Sequence, residues 1–361
     1  MPQFANASFV WDAATPYPNE TDMREPEGIR RMIAHDGRAD ILPFLHDLAV
    51  IWFEGALYVA WYNSTDAEIC GTSLIRGRRS ADGGATWSEP FTIAGSLQAE
   101  NEHYVPVTFF PCDGKLYAFI TEMSGKNMTT GLDLYVMRDA VACTWEKVSH
   151  ISEGFITNAP PVRMDNGNYA MGAWIPMKEE TPAFPVVLIS QGAEIHKSWH
   201  ISFLYDPLKL GAARIRCPEI SLHADGAGIT AYVRNDEGPS LVFTSEDCGN
   251  NWNAPCVNPM HIGNSKIFAG RLSDGRKYLI YNAERGYFVR TLLVLAVADV
   301  SGRFNKVYRL FRENEEQIGR GEIWFYPCAY EANGELYVGC TLQEATHIRS
   351  AILAAVPVSA L

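Results

Sequence analysis

The sequence predicts an all-β fold, a six-bladed β-propeller of four-stranded antiparallel blades. The main observation is a hairpin signature that occurs six times, with its glycine at positions 55, 114, 167, 226, 275 and 334. The spacing of 49 to 59 residues between these glycines is that of a structural repeat. Six such units occupy nearly all of the 361 residues, which leaves no room for a second domain.

Each hairpin signature is an acidic residue or asparagine followed by glycine, between two apolar runs. Two-residue hairpin turns of this kind need positive φ angles, which Gly and Asn adopt most readily. The flanking runs alternate in polarity, as in residues 57–61 and 277–281, which is the period of a half-buried strand. The pattern therefore predicts small antiparallel sheets in series.

The predicted domain organisation is an N-terminal extension over residues 1–38 that packs on a single propeller over residues 39–361. Residues 27–34 follow Pro26 and are the best short helix candidate, because proline suits the first turn of a helix. This extension is expected either to cap the ring or to complete its last blade.

The composition argues against several classes of partner. A net charge of −12 disfavours a nucleic acid or an anionic membrane surface as a partner. No stretch is apolar enough to span a membrane, and the first residues lack the features of a signal peptide, so a cytoplasmic location is expected unless a leader was trimmed. The cysteines are dispersed without metal-site spacing, so no metal or cofactor is predicted. The oligomeric state is left open.

Two segments contain a shared turn motif. The first runs Ser80-Ala81-Asp82-Gly83-Gly84-Ala85-Thr86-Trp87, and the second runs Ser245-Glu246-Asp247-Cys248-Gly249-Asn250-Asn251-Trp252. Both resemble the Asp-box of the sialidase (neuraminidase) superfamily, the BNR repeat. We expect the Asp side chain to accept hydrogen bonds from its own turn and the Trp to pack into the blade. The motif stabilises a hairpin and implies a sialidase-like propeller.

The resemblance implies an exo-acting glycoside hydrolase that binds an acidic sugar. Sialidases hold the sugar carboxylate with three arginines, whose guanidinium groups match its shape and charge. They use a tyrosine as nucleophile, which avoids bringing a carboxylate nucleophile up to an anionic sugar. A glutamate takes the proton of the phenol, whose ordinary pKa is about 10, and an aspartate serves as acid/base.

The innermost strand of each blade lines the centre of a propeller. Residues about seven to fifteen positions before each hairpin glycine are therefore candidates for a site. In the six units this criterion selects Asp40, Asn101, His103, Asn158, Arg216, Glu219, Asn264, Lys266, Trp324 and Tyr326.

The roles implied by the resemblance can be placed on individual residues. Asp66, fourteen positions before Ser80 (80−66), corresponds to the acid/base. Glu219 and Arg234, fifteen residues apart (234−219), correspond to the base for the nucleophile and to one arginine. Tyr326 corresponds to the nucleophile. Arg290 is the candidate for the third arginine, with Arg271 as its rival.

One position departs from the family pattern. The first arginine of the family lies in an Arg-Ile-Pro motif, and this chain has Asp40-Ile41-Leu42-Pro43 there. An aspartate in a carboxylate-binding pocket would repel the substrate. Arg38 could replace the missing arginine only if the strand is bulged or its register differs.

Three functions remain open. The first is a sialidase-like hydrolase that uses Tyr326, Glu219 and Asp66, with Arg234 and Arg290 binding an acidic glycan. The second is a polysaccharide lyase or rhamnosyl-glucuronidase-type enzyme acting on uronates. Its residues would be His103 as acid or base, with Tyr326, Arg216 and Arg234. The third is a glycan-binding propeller without catalysis, which would bind sugar and be unaffected by Tyr326→Phe and Glu219→Ala. Trp324 is a further candidate for substrate binding.

Overall fold

A computed structural model describes residues 4–68, 73–98, 102–124, 128–175, 183–205, 215–286, 288–313, 323–345 and 347–361. The chain divides into two compact units. Unit I comprises Pro26–Ile156 and Arg312–Leu361, and unit II comprises Met1–Glu25 and Thr157–Phe311. The described residues form six antiparallel sheets, which are the blades of a β-propeller. The predicted all-β fold class is therefore confirmed.

Unit I contains three four-stranded sheets, in the orders β2-β3-β4-β5, β6-β7-β8-β9 and β1-β25-β24-β23. Their strands are β1 (Arg30–His35), β2 (Phe44–Phe53), β3 (Ala56–Ser64), β4 (Leu74–Ser80), β5 (Phe91–Ala94), β6 (Glu102–Cys112), β7 (Lys115–Ser124), β8 (Thr129–Asp139), β9 (Thr144–Ser152), β23 (Ile323–Ala332), β24 (Glu335–Ala345) and β25 (Ile348–Pro357). Short 3-10 turns span Gly37–Ala39 and Val358–Ala360.

Unit II contains the other three sheets. Their strands are β10 (Ile156–Thr157), β11 (Val162–Arg163), β12 (Tyr169–Ile175), β13 (Phe184–Ile189), β14 (His200–Phe203), β15 (Ile220–Asp225), β16 (Gly228–Val233), β17 (Leu241–Ser245), β18 (Cys256–Val257), β19 (Phe268–Arg271), β20 (Lys277–Asn282), β21 (Leu292–Ala298) and β22 (Phe304–Arg312). In the first of these sheets, β10 and β11 both pair with β12. Pro160 and Pro161 lie between β10 and β11, and proline cannot donate a ladder hydrogen bond.

The short helix predicted over residues 27–34 is wrong. The structure has strand β1 there, paired antiparallel with β25 from Arg30 opposite Ala355 to His35 opposite Ala351. Arg30 and Arg31 at the start of β1 are exposed, and Ala34 and His35 at its end are buried. The pairing of β1 with the sheet formed by β23, β24 and β25 outweighs the weak local preference for a helix. The N-terminal strand thus completes the last blade of the chain.

The segment before β1 contributes to the core of unit II. Ala7, Val10, Trp11 and Met23 are buried in the same apolar cluster as residues of β19–β22. A 3-10 turn spans Glu20–Asp22. No helix in the described residues is long and apolar enough to cross a membrane.

The six hairpin glycines adopt the conformation that the sequence predicts. Their φ angles lie between 65° and 92°, which is the left-handed region. In three of the turns the preceding residue also has a positive φ, at Glu54 (45°), Asp113 (49°) and Asn333 (54°). These are the two-residue turns that match the twist of an antiparallel pair.

Both Asp-box turns form as predicted. Asp82 accepts hydrogen bonds from the backbone N–H of Thr86 at 2.8 Å and from its hydroxyl at 2.5 Å. Asp247 accepts equivalent bonds from the backbone N–H of Asn251 at 2.8 Å and its side-chain amide at 2.6 Å. The hydrogen bonds from Thr86 lower the pKa of Asp82 to about 2. The motif is therefore structural, as the sequence indicates.

The first prediction concerns the approach of the N-terminal strand to β25. A Cβ at Gly37 would clash with the backbone carbonyl oxygens of Arg349 and Pro43, which cannot move aside as a side chain can. We expect Gly37→Ala to lower the free energy of unfolding by about 1–3 kcal/mol, measured by urea denaturation. Gly238→Ala is the matched control, because its Cβ would meet only the Asn235 side-chain amide, at 3.3 Å. Equal losses in the two variants would contradict this account.

Candidate functional site

Tyr326 lies on a bulge of β23. The register of β23 against β24 shifts between Phe325 and Cys328, and Tyr326 has a φ of 57°. The next residue is Pro327, which cannot donate to the ladder. A non-glycine residue in the left-handed region costs about 1–3 kcal/mol, and outside turns such strain is one feature of active sites. The bulge leaves the Tyr326 side chain half-buried.

The same feature occurs at the corresponding place on β2. The register of β2 against β3 shifts between His46 and Ala49, and buried Asp47 has a φ of 54°. The imidazole of His46 lies beside the phenol of Tyr326, with ring centroids 4.2 Å apart. Its Nδ1 lies 3.2 Å from the hydroxyl of Thr341. The two bulges therefore bring a buried imidazole and the predicted nucleophile together.

Arg349, on β25, lies on two aromatic rings of the same cluster. Its Cζ is 4.0 Å from the ring centroid of Phe44 and 4.9 Å from that of Phe325. Its Nε donates to Oε1 of Gln343 at 3.1 Å. The ring of Phe325 is also 5.9 Å from the ring of Tyr326. The half-buried Arg349 and the predicted nucleophile Tyr326 thus both contact the ring of Phe325.

Asp40 belongs to a second cluster in unit I. Its carboxylate is 2.6 Å from Nε2 of His35 and 2.8 Å from Nη1 of Arg76, and it accepts from the N–H of Leu42 at 3.0 Å. Burial alone would raise the pKa of Asp40. The contacts with His35, Leu42 and Arg76 outweigh it and hold this pKa well below its usual range.

The contacts of Asp40 determine whether its negative charge can repel an anionic ligand. Its side chain is 4% exposed, and Arg76 balances its charge. Nη1 of Arg76 also lies 3.4 Å from Oδ1 of Asn63, whose amide nitrogen donates to the carbonyls of residues 42 and 44. Asp40 occupies the position of the family's missing arginine, and its negative charge is balanced by Arg76.

Arg38, Asp66 and Trp324 also lie in unit I. Arg38 is 55% exposed and donates from Nε and Nη2 to Asp36, at 2.9 Å and 2.7 Å. Asp66 is exposed, and its carbonyl accepts from Nδ1 of His347 at 2.8 Å. Trp324 is half-buried on β23, opposite Leu342 of β24.

His103, the candidate base of the uronate mechanism, is buried on β6. Its side chain is 4% exposed, and no described residue forms a hydrogen bond with its Nδ1. Burial lowers its pKa, so its imidazole is neutral at neutral pH. Asn101, next to this strand, lies outside the described residues.

Unit II contains a buried ion network at the predicted Glu219 and Arg234. Nη1 of Arg234 donates to Glu219 at 2.8 Å, and its Nε and Nη2 donate to the two oxygens of Asp236 at 2.7 Å and 2.9 Å. All three side chains are 5% exposed or less. The predicted pairing of Glu219 with Arg234 is present, and Asp236 adds a second carboxylate that the sequence analysis did not include.

The remaining arginines of unit II differ in their surroundings. Arg290 donates from Nε and Nη2 to the backbone carbonyl of Asn264, at 3.1 Å and 2.7 Å. Arg216 is exposed, and its backbone N–H donates to Oδ1 of Asn235 at 3.4 Å. Arg271, the rival of Arg290, forms an exposed ion pair with Asp225.

Sequence reasoning missed His46, Arg76 and Arg349. His46 is nine residues before Gly55, so the criterion for inner strands could have selected it. Arg76 and Arg349 lie on the third strands of their sheets, where that criterion does not apply. Among the described residues, no three His, Cys, Asp or Glu side chains are grouped so as to hold a metal ion.

Comparison with known proteins decides the family. The profile of the BNR repeat-like domain matches residues 55–338. The chain belongs to this family. No curated protein sequence matches the chain significantly.

Solved structures similar to this BNR-repeat chain include sialidases. Trypanosoma rangeli sialidase in complex with sialic acid is 13% identical, with a TM-score of 0.70 over 92% of this chain and 60% of that one. The same enzyme with 2,3-difluorosialic acid, described as a covalent intermediate, gives a TM-score of 0.71 at 13% identity over 92% and 59%. A Dyadobacter fermentans protein of unknown function is 14% identical, with a TM-score of 0.70 over 91% and 99%.

This chain therefore spans about 60% of the length of those sialidases. At these identities the likeness shows the fold, a sialidase-like propeller.

The second prediction concerns the buried partner of Arg76. We expect Asp40→Asn to lower the free energy of unfolding at pH 7 by about 3 kcal/mol, because Arg76 and His35 lose their carboxylate. Since the folded-state pKa of Asp40 is depressed, its stabilisation is present above the unfolded pKa of about 4 and is lost as the pH falls. Urea denaturation from pH 7 to pH 3 should therefore show a shallower acid loss in the variant.

Asp36→Asn is the control for Asp40→Asn. Asp36 pairs with Arg38 on the surface, where an ion pair contributes less than about 1 kcal/mol. Equal destabilisation by the two substitutions at pH 7 would contradict the role given to Asp40.

Proposed function

We propose that the protein is an exo-acting glycoside hydrolase that removes a terminal acidic sugar, sialic acid or a related one, with Tyr326 as nucleophile. The observation that carries the proposal is the placement of Tyr326 on a strained bulge, beside the imidazole of His46 and one aromatic ring from the Arg349 cation. Backbone strain at a half-buried residue is a feature of many active sites, where the surrounding structure holds the strained conformation.

The reaction has two steps. The phenol oxygen of Tyr326 attacks the anomeric carbon as the glycosidic bond breaks, and Asp66 gives a proton to the leaving oxygen. Water then attacks the same carbon, gives its proton to Asp66, and releases Tyr326 and the free sugar. The phenol proton passes to a base in the first step and returns to the phenolate in the second, and the resemblance gives this role to Glu219.

The acidic substrate is supported by charge and by the similar proteins. Asp40 is balanced by Arg76, so it does not oppose a sugar carboxylate as the sequence alone suggested. The similar Trypanosoma rangeli structures contain sialic acid and 2,3-difluorosialic acid. Arg234 already donates to two carboxylates, and it would assist mainly by fixing Glu219 in place.

A second candidate function is elimination on a uronate-containing glycan. The contact between His46 and Tyr326 favours it, because an imidazole beside a phenol can remove and return protons. His103, the residue first expected in this role, is buried and neutral at neutral pH. Elimination leaves an unsaturated product that absorbs in the ultraviolet, whereas hydrolysis does not.

The third prediction tests the nucleophile. We expect the wild type to release aryl alcohol from aryl glycosides of sialic acid or related 2-keto acidic sugars. Tyr326→Phe should lower the turnover number at least about 10³-fold, because the attacking oxygen is lost. Tyr330→Phe is the matched control, since Tyr330 lies on the same strand outside the cluster.

Retention of most turnover in Tyr326→Phe would exclude the proposed mechanism. Release of an ultraviolet-absorbing product from a uronate polymer, with no hydrolysis of the aryl glycosides, would favour elimination instead.

A further inference from the structure

We infer that the N-terminal segment, residues 4–25, positions Arg290 for substrate binding through an ion pair between Glu20 and Arg285. This inference rests on the proposed function, because it assumes that Arg290 contacts the acidic sugar. It adds Glu20 and Arg285 as positioning residues, which neither the repeat pattern nor the resemblance identifies. All three residues belong to unit II.

The first argument is the attachment of the N-terminal segment to the outer strands of two sheets. The N–H of Ala7 donates to the carbonyl of Val257 on β18 at 2.8 Å, and the N–H of Val257 donates to the carbonyl of Ala5 at 2.8 Å. The N–H of Asp12 donates to the carbonyl of Phe304 on β22 at 2.9 Å. Backbone hydrogen bonds therefore fix the start of the segment to these two sheets.

The second argument is the contact that Tyr17 makes further along the segment. Its hydroxyl lies 2.7 Å from the hydroxyl of Tyr281 on β20, and its ring centroid lies 4.4 Å from that of His261. The carbonyl of His261 accepts from the N–H of Glu284 at 2.9 Å, and Glu284 directly precedes Arg285. Tyr17 therefore packs on the residue to which the connection between β20 and β21 is hydrogen-bonded.

The third argument is the ion pair itself. Arg285 lies near the start of the connection between β20 and β21, and Arg290 lies near its end. Nε of Arg285 is 3.0 Å from Oε2 of Glu20. Nη1 of Arg285 donates to the hydroxyl of Thr291, the neighbour of Arg290. The Arg285 guanidinium thus joins the N-terminal segment to the end of the connection where Arg290 lies.

The fourth argument is the way in which Arg290 is held. Its Nε and Nη2 donate to the carbonyl of Asn264 at 3.1 Å and 2.7 Å. Asn264 lies in the same short connection as His261, between β18 and β19. The N-terminal segment therefore contacts both connections on which the position of the Arg290 guanidinium depends. A displacement of about 1 Å in a positioning group can weaken function by up to about 10²-fold.

The fourth prediction separates positioning from folding. The side chains of Glu20 and Arg285 are 25% and 29% exposed, and a surface ion pair contributes less than about 1 kcal/mol to stability. We expect Glu20→Gln to raise the KM for an aryl glycoside of sialic acid about 10-fold, with kcat and the urea midpoint nearly unchanged. Arg285→Gln should do the same. The double variant should match Arg285→Gln alone, because both residues act through one contact.

Hydrogen exchange of the full chain, read by mass spectrometry, tests the positioning without relying on activity. The N–H groups of Ala283 and Glu284 donate to the carbonyls of Leu292 and His261, at 3.0 Å and 2.9 Å. We expect Glu20→Gln to speed exchange in the peptide that contains Ala283 and Glu284 about 2- to 5-fold, because the connection opens more easily.

Glu25→Gln is the matched control. Glu25 lies on the same segment, but its carboxylate is 3.7 Å from Nη2 of Arg309 on β22. The control should change neither the KM nor the exchange of this peptide.

Unchanged exchange in Glu20→Gln, or equal changes in Glu25→Gln, would overturn the inference. Faster exchange only in the Glu20 and Arg285 variants, with no hydrolysis of the glycosides by the wild type, would support the positioning of Arg290 and reject the proposed function. Hydrolysis that depends on Tyr326, with a KM unchanged by Glu20→Gln, would retain the proposed function and reject the inference.

Discussion

The pairing of β1 with β25 is the constraint on which the candidate site of unit I depends. This pairing places His35 at the end of β1, where it contacts Asp40 at 2.6 Å. It also brings Gly37 against the carbonyl of Arg349, whose N–H bonds Pro43. Strand β1, which completes the last sheet, therefore also positions Asp40, the partner of Arg76, and the backbone of Arg349. Within unit I, the hydrogen bonds that join β1 to β25 therefore also fix the geometry of the candidate site.

The sequence predicted the fold because its signals are local. A hairpin glycine needs a positive φ wherever it lies, and Gly55 and its five counterparts adopt one. The Asp-box of Asp82 closes through hydrogen bonds with its own Thr86, four residues along the chain. The failed helix over residues 27–34 shows the opposite case. Its conformation is decided by pairing with β25, more than three hundred residues away. Local helix propensity contains no information about such a distant partner.

The candidate site was predictable only in part, for a related reason. Tyr326 lies on an inner strand, Glu219 lies directly before one, and Arg234 directly follows the strand paired with it, so the repeat indicates their positions. Arg76 and Arg349 lie on third strands, and their side chains contact Asp40 and Phe44, which lie outside those strands. The charge balance of Asp40 depends on Arg76, thirty-six residues away, so the sequence alone suggested repulsion where the structure has a neutral pair.

The central claim is that Tyr326 forms a covalent bond with an acidic sugar. Mass spectrometry of the intact protein after incubation with a fluorinated acidic glycosyl fluoride, followed by peptide mapping, tests it directly. The account predicts one added glycosyl group on the peptide that contains Tyr326, and none in Tyr326→Phe. Turnover of an aryl glycoside with no adduct, or an adduct on another residue, would contradict it.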